Sequence, residues 1–178
     1  PRGRRALTTS HDCTTRLFSM ESGRCLAVLR GHRRGVVSGV FSADGRMVLT
    51  ASDDRTARFF DAETAERART FRNHQSGLTS AALSPDGRWV ATVARDNTLR
   101  LFEANSAACL RAFAWAEAGL ACTVPDRLSF SPDGAVLIVA SGASGDCFTR
   151  LFDVRTWRCR HVVEGDHLAT WVPARARA

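Results

Sequence analysis

Residues 31–61, GHRRGVVSGVFSADGRMVLTASDDRTARFFD, decide how the whole chain is read. Val36 to Phe41 is a short apolar run that stops at the turn Ser42-Ala-Asp-Gly45, and Arg46 to Ala51 resumes it. A second tight turn, Ser52-Asp53-Asp54, precedes Thr56-Ala-Arg-Phe-Phe60, and Glu66 to Phe71 adds a fourth run. Runs of about five residues rich in Val, Thr, Leu and Phe, punctuated by Asp, Gly and Ser, are the signature of short strands. Nothing in this stretch offers ten residues of helical periodicity.

The same pattern recurs along the chain. The turn at Ser42 returns as Ser84-Pro-Asp-Gly87, 42 residues on, and as Ser131-Pro-Asp-Gly134, 47 further. A second marker, Leu17-Phe18, returns as Phe59-Phe60, Leu101-Phe102 and Leu151-Phe152, with Phe-to-Phe steps of 42, 42 and 50. Two independent markers keeping one period define a repeat, and four strands in about 40–45 residues make one propeller blade. The fold class is therefore all-β, an incomplete arc of about three full blades plus partial ones, each blade of four antiparallel strands.

Further residues carry a resemblance to the WD40-repeat family. Gly31-His32 opens one repeat, Ser52-x-Asp54-x-Thr56 precedes its third strand, and Phe60-Asp61 stands where the family usually has Trp-Asp. The next repeat has Asn73-His74, Asp96-x-Thr98 and Phe102-Glu103; the last has Asp146 and Phe152-Asp153; the first has Ser10-x-Asp12-x-Thr14 and Phe18-Ser19. The resemblance spans roughly residues 3 to 167. It implies a structural hydrogen-bond chain in each blade, here through His32, Ser52, Asp54, His74, Asp96, Ser10, Asp12 and Asp146. It also implies that Phe18, Phe60, Phe102 and Phe152 pack between blades. Phenylalanine fills the Trp position but has no N–H to donate. Ala94 replaces the Ser of the third repeat, and no His precedes the fourth. Blade two is thus expected to be the best tied and blade four the loosest.

The repeat phasing divides the chain into a partial blade lacking its first strand (1–30), blades at 31–72, 73–114 and 115–165 (the last with loop insertions), and a segment at 166–178 read as the start of a further blade and an Ala/Arg tail. Insertions fall at 115–125 and 141–146. A family propeller of seven blades needs on the order of 300 residues. Further blades, from the same polypeptide or another chain, are therefore expected to complete the ring.

Composition excludes several classes of function. The longest apolar run, Ala135 to Ala140, is far short of a membrane span of about 20 residues. All basic residues are Arg, and the net charge is +7. The six cysteines, at 13, 25, 109, 122, 147 and 159, form no C-x-x-C pair, so they read as free intracellular thiols rather than a zinc site. His161, Asp166 and His167 form the only close His/Asp cluster, without the ligand spacing of a metal centre. His32, Ser52 and Asp54 are the residue types of a hydrolase triad, but the set recurs degraded in the next repeat, as a structural motif does. No cofactor, metal or catalysis is expected. Arg16, Arg58, Arg100 and Arg150 stand two residues before each Phe and read as part of the repeat rather than as a nucleic-acid stripe.

By resemblance, the narrower face of the arc presents loops to protein partners. The matching residues are His11, Arg33, Arg34, Gly35, Asp53, Gln75, Ser76, Gly77 and Arg95. Their basic, polar character points to an acidic protein surface or peptide. The expected role is a scaffold within an intracellular complex, in cytoplasm, nucleus or cilium. Two alternatives remain at this stage: Arg-driven binding of nucleic acid or a ribonucleoprotein, and a regulatory propeller fused to a catalytic domain.

Overall fold

The computed structural model describes residues 4–114, 124–141 and 148–164, and every regular element among them is a β-strand. The first sheet holds β1 (Arg5–Thr9), β2 (Thr15–Ser19) and β3 (Cys25–Leu29). The second holds β4 (Val36–Phe41), β5 (Met47–Ser52), β6 (Ala57–Asp61) and β7 (Arg67–Phe71). The third holds β8 (Leu78–Leu83), β9 (Trp89–Ala94), β10 (Thr98–Glu103) and β11 (Cys109–Ala114). The fourth holds β12 (Arg127–Phe130), β13 (Val136–Ser141), β14 (Phe148–Asp153) and β15 (Cys159–Glu164). Each sheet is an antiparallel meander in chain order.

The repeated Ser-x-Asp-Gly turn explains the first hairpin of each full sheet. Ser42 Oγ donates to Asp44 at 2.6 Å and accepts from the Met47 N–H at 2.9 Å, while Asp44 accepts from the Arg46 N–H at 3.0 Å. Ser84 and Ser131 repeat the arrangement. The closing glycines sit at φ of 71–72°, where a side chain would be strained. A second regularity lies between the third and fourth strands. A bulge separates the paired markers in every sheet, at Leu17/Phe18, Phe59/Phe60, Leu101/Phe102 and Leu151/Phe152.

Alternation then turns the two members of each marker to opposite sides of the sheet. Phe60 packs with Leu17, Leu29 and Val48 between sheets one and two. Phe59 packs with Phe71, Leu78 and Phe102 between sheets two and three, and Leu101 with Leu137 and Phe152 between sheets three and four. The sheets are thus stacked in chain order, each pair sealed by its own apolar layer. Phe60, Phe102 and Phe152 are buried, whereas Phe18, on the side of sheet one away from sheet two, is only half-buried.

Candidate functional site

The polar core of blade two is assembled from four segments. His32 lies in the loop before β4, Thr50 on β5, Asp54 in the β5–β6 turn, and Arg58 on β6 directly opposite Thr50. One Asp54 oxygen accepts from the Thr56 N–H at 3.1 Å and the Thr56 hydroxyl at 2.6 Å. The other accepts from His32 Nδ1 at 2.9 Å, the Arg33 N–H at 3.0 Å and Arg58 Nη2 at 3.3 Å. His32 Nε2 is hydrogen-bonded to the Thr50 hydroxyl at 2.8 Å. Arg58 also donates to the Gly31 carbonyl at 2.6 Å, tying the loop to the strand. Burial alone would raise the Asp54 pKa; the donors from His32, Thr56 and the Arg33 backbone prevail and hold it well below the usual carboxylate range.

Blade three repeats the plan with one loss. His74 Nδ1 donates to Asp96 at 3.0 Å, and the Thr92 hydroxyl meets Nε2 at 2.7 Å. The Gln75 N–H and the Thr98 hydroxyl complete the carboxylate at 2.8 and 2.7 Å. Arg100, the counterpart of Arg58, forms no ion pair with Asp96, and its Nε has no hydrogen-bond partner among the described residues. Burial pushes the His74 pKa down against the pull of Asp96, so the neutral imidazole donates to the carboxylate and accepts from Thr92.

Blades one and four differ from both. Asp12 holds Thr14 and pairs with Arg16 at 2.9 Å, with both side chains 43% exposed. Ser10 Oγ accepts from the Asp12 N–H. In blade four Val139 pairs with Arg150 as Thr50 pairs with Arg58, and Phe148 takes the place of Thr56. The Arg150 guanidinium lies over the Phe148 ring at 5.2 Å. Asp146 lies outside the described residues, as do Asp166 and His167 of the His/Asp cluster and most of both insertions.

Ser52 does not join the imidazole. It is fully buried, donates to the Arg34 carbonyl at 3.0 Å and accepts from the Asp54 N–H at 3.0 Å, so its work is in the turn. The hydroxyls that do meet the histidines, Thr50 and Thr92, escaped sequence reasoning. Their signal was present: Thr8, Thr50 and Thr92 keep the 42-residue step. An Asp–His–Thr chain has the connectivity of a nucleophilic triad, but Thr50 is 0% and Thr92 1% exposed, so no substrate reaches either hydroxyl.

The residues expected on the narrower face gather at one end of the stacked sheets. Gly35 is buried there, and a Cβ on it would stand 2.6 Å from His11 Nδ1 and 3.3 Å from the His11 Cα. Gly77 meets Asp53 in the same way, at 2.7 Å from Oδ1 and 3.1 Å from the Cα. Both glycines therefore serve close approach between blades, joined at the first by Val36 N–H to Ser10 O at 3.0 Å, while Asp53 N–H to Gly35 O at 3.0 Å and Arg95 N–H to Gly77 O at 2.9 Å fix each glycine within its own blade. Arg95 and Asp53 pair across the second and third blades at 3.1 Å. Arg33, Arg34 and Gln75 are exposed, and Ser76 is half-buried.

Among the described residues, no group of three or more His, Cys, Asp and Glu could hold a metal ion, and no helix is long and apolar enough to cross a membrane. No curated protein matches the chain. The family model described as WD domain, G-beta repeat matches residues 23–61 and 65–103. Each matched unit begins before the outer strand of one sheet and ends with the third strand of the next, β3 to β6 and then β7 to β10. The sequence repeat is therefore staggered by one strand against the sheets, so every unit joins two blades covalently. With four stacked antiparallel sheets and two matched units in register, residues 23–61 and 65–103 are WD40 repeats and the described chain has the architecture of a partial WD40 propeller, a kind of domain that serves generally as a protein-interaction scaffold.

Proposed function

We propose that this chain is a non-catalytic interaction segment of a propeller within an intracellular assembly, and that it engages an acidic protein surface through the end carrying Arg33 and Arg34. The observation that carries this reading is a charge imbalance. Arg30, Arg33, Arg34, Arg55 and Arg72 are exposed at this end, with no side-chain hydrogen bond or ion pair among the described residues. The carboxylates beside them are already spent, Asp54 and Asp96 inside the blades and Asp53 on Arg95. No Trp or Phe anchor stands among these loops, which favours a charge-guided contact.

Ring completion belongs to the same reading. Phe18 on the outer side of sheet one is half-buried, and Val163 on the outer side of sheet four is 41% exposed. Further blades, from this polypeptide or another chain, would cover both faces.

The test is fluorescence anisotropy with a labelled Glu-rich peptide. Binding at low salt that weakens by about tenfold in the Arg33→Glu/Arg34→Glu variant is expected. Affinity indifferent to that double reversal, or tighter binding of single-stranded oligo-dT, overturns the proposal.

A further inference from the structure

A notch recurs between the blades at the end opposite Arg33 and Arg34, formed by the bottom turns of one sheet against strands of its predecessor. The three copies differ in lining. Between blades one and two it is polar, with Asp44, Asp61 and Glu63 facing Arg4, Arg5 and Arg46. Between blades two and three, Arg69 crosses it and donates to the Asn105 carbonyl of blade three at 2.5 Å. Between blades three and four it opens to about 750 Å³ and is lined by Trp89, Trp157, Leu110, Arg111 and Arg155.

Repeat register shows what changed. Arg111 stands where Arg69 does and Arg155 where Asn105 does, and two cations line this groove with no bond from Arg111 crossing it among the described residues. Neither has a side-chain hydrogen bond or ion pair among the described residues, and both are exposed. The carboxylates of the groove are consumed: Asp133 by Ser131 and the Ala135 N–H, Asp153 by Thr156 and Arg160. The floor changed as well. Gly23, Ala65 and Ala107 hold the left-handed turn position in the first three blades, at φ of 57–68°. Trp157 holds it in blade four at φ 57°, a conformation that a bulky residue adopts only when its surroundings impose it. Its indole is 9% exposed and packs into the layer between blades three and four, beside Trp89. Leu110, on the rim, is 48% exposed.

We propose that this groove is a second docking site, for a short acidic peptide that seats an apolar side chain against Leu110 and Trp89 and pairs its carboxylates with Arg111 and Arg155. An unpaired cation couple beside an apolar floor is the complement of that ligand. Stacked nucleobases fit less well, because the Trp157 ring is buried and offers no open face for stacking.

The experiment selects a phage-displayed dodecapeptide library on the immobilised chain, then measures the enriched peptides by anisotropy. Sequences with Asp or Glu flanking Leu, Phe or Trp are expected, and Arg111→Glu or Arg155→Glu should weaken them by about tenfold. Arg111→Gln/Arg155→Gln, which keeps size and removes charge, should weaken them similarly, while Arg33→Glu/Arg34→Glu leaves them unchanged. Far-UV circular dichroism establishes that each exposed-site variant is folded. The proposal is overturned by enrichment without an acidic–apolar pattern, by affinity retained in the Arg111→Glu/Arg155→Glu variant, or by oligo-dT binding more tightly with the same arginine dependence. Loss that follows Arg33 and Arg34 instead overturns the groove and leaves the opposite end as the sole contact.

Discussion

Blades two and four occupy the same place in the repeat and fill it with opposite chemistry. In blade two, Thr50, Thr56, Arg58, His32 and Asp54 form a buried network in which one carboxylate takes five donors. In blade four, Val139 and Phe148 hold the register positions of the two threonines, and the arginine rests on a phenyl ring. The backbone pairing and the bulge after the third strand are the same in both. What the repeat fixes is therefore strand register and the apolar layer between blades. The polar chain is one of two fillings for that volume, and either is stable if it is complete, since a half-satisfied buried network is worse than none.

Breaking the network should have the largest effect. Asp54→Ala removes the acceptor of His32, Arg58 and two backbone N–H groups at once. Loss of one partner of a buried charged pair costs about 3–5 kcal/mol, read as a drop in the urea midpoint. Asp12→Ala, at the corresponding but exposed site of blade one, should leave that midpoint nearly unmoved. Equal losses at the two sites would mean that burial does not distinguish them.

Exchanging the fillings sharpens the contrast. Val139→Thr places a hydroxyl opposite Arg150, whose carbonyl stands where Arg58 accepts from Thr50, so it should cost only about 1 kcal/mol. Thr50→Val leaves the buried His32 Nε2 without its partner and should cost more, about 1–3 kcal/mol. Thermal melts of both variants check the order. If Val139→Thr proves the costlier change, the apolar filling of blade four does not admit a hydroxyl even beside that carbonyl.

How much of this was legible in sequence follows from the range of each interaction. The blades were readable because their turns and alternation are local, as at Ser42-Ala-Asp-Gly45. The His–Asp pairs at 32/54 and 74/96 were readable because the family pattern names them. Thr50 and Thr92 were missed because their role depends on which residue of the facing strand they oppose. Gly35 and Gly77 read as loop surface, yet each is pressed against the preceding blade, a contact that no local pattern encodes. Arg111 and Trp157, 46 residues apart in sequence, line one groove across a blade boundary.

The smallest effect, and the one that separates blades two and three most finely, is on pH. Burial holds the His74 pKa below its ordinary value of 6.5, with Asp96 opposing and Arg100 reinforcing the shift. The unfolded chain therefore takes up the proton first on acidification. Stability from this group is complete above about pH 6.5 and is lost as pH falls from there through the lower folded-state pKa. The carboxylates Asp54 and Asp96 are shifted down as well, so their contribution fails only below about pH 4. The two acid limbs are thus separated. Urea midpoints measured from pH 7.5 to 5.5 should decline for the native chain. In His74→Gln they should begin lower and run flatter. The intact slope persisting in that variant would assign the titration to another group and remove the buried imidazole of blade three as its source.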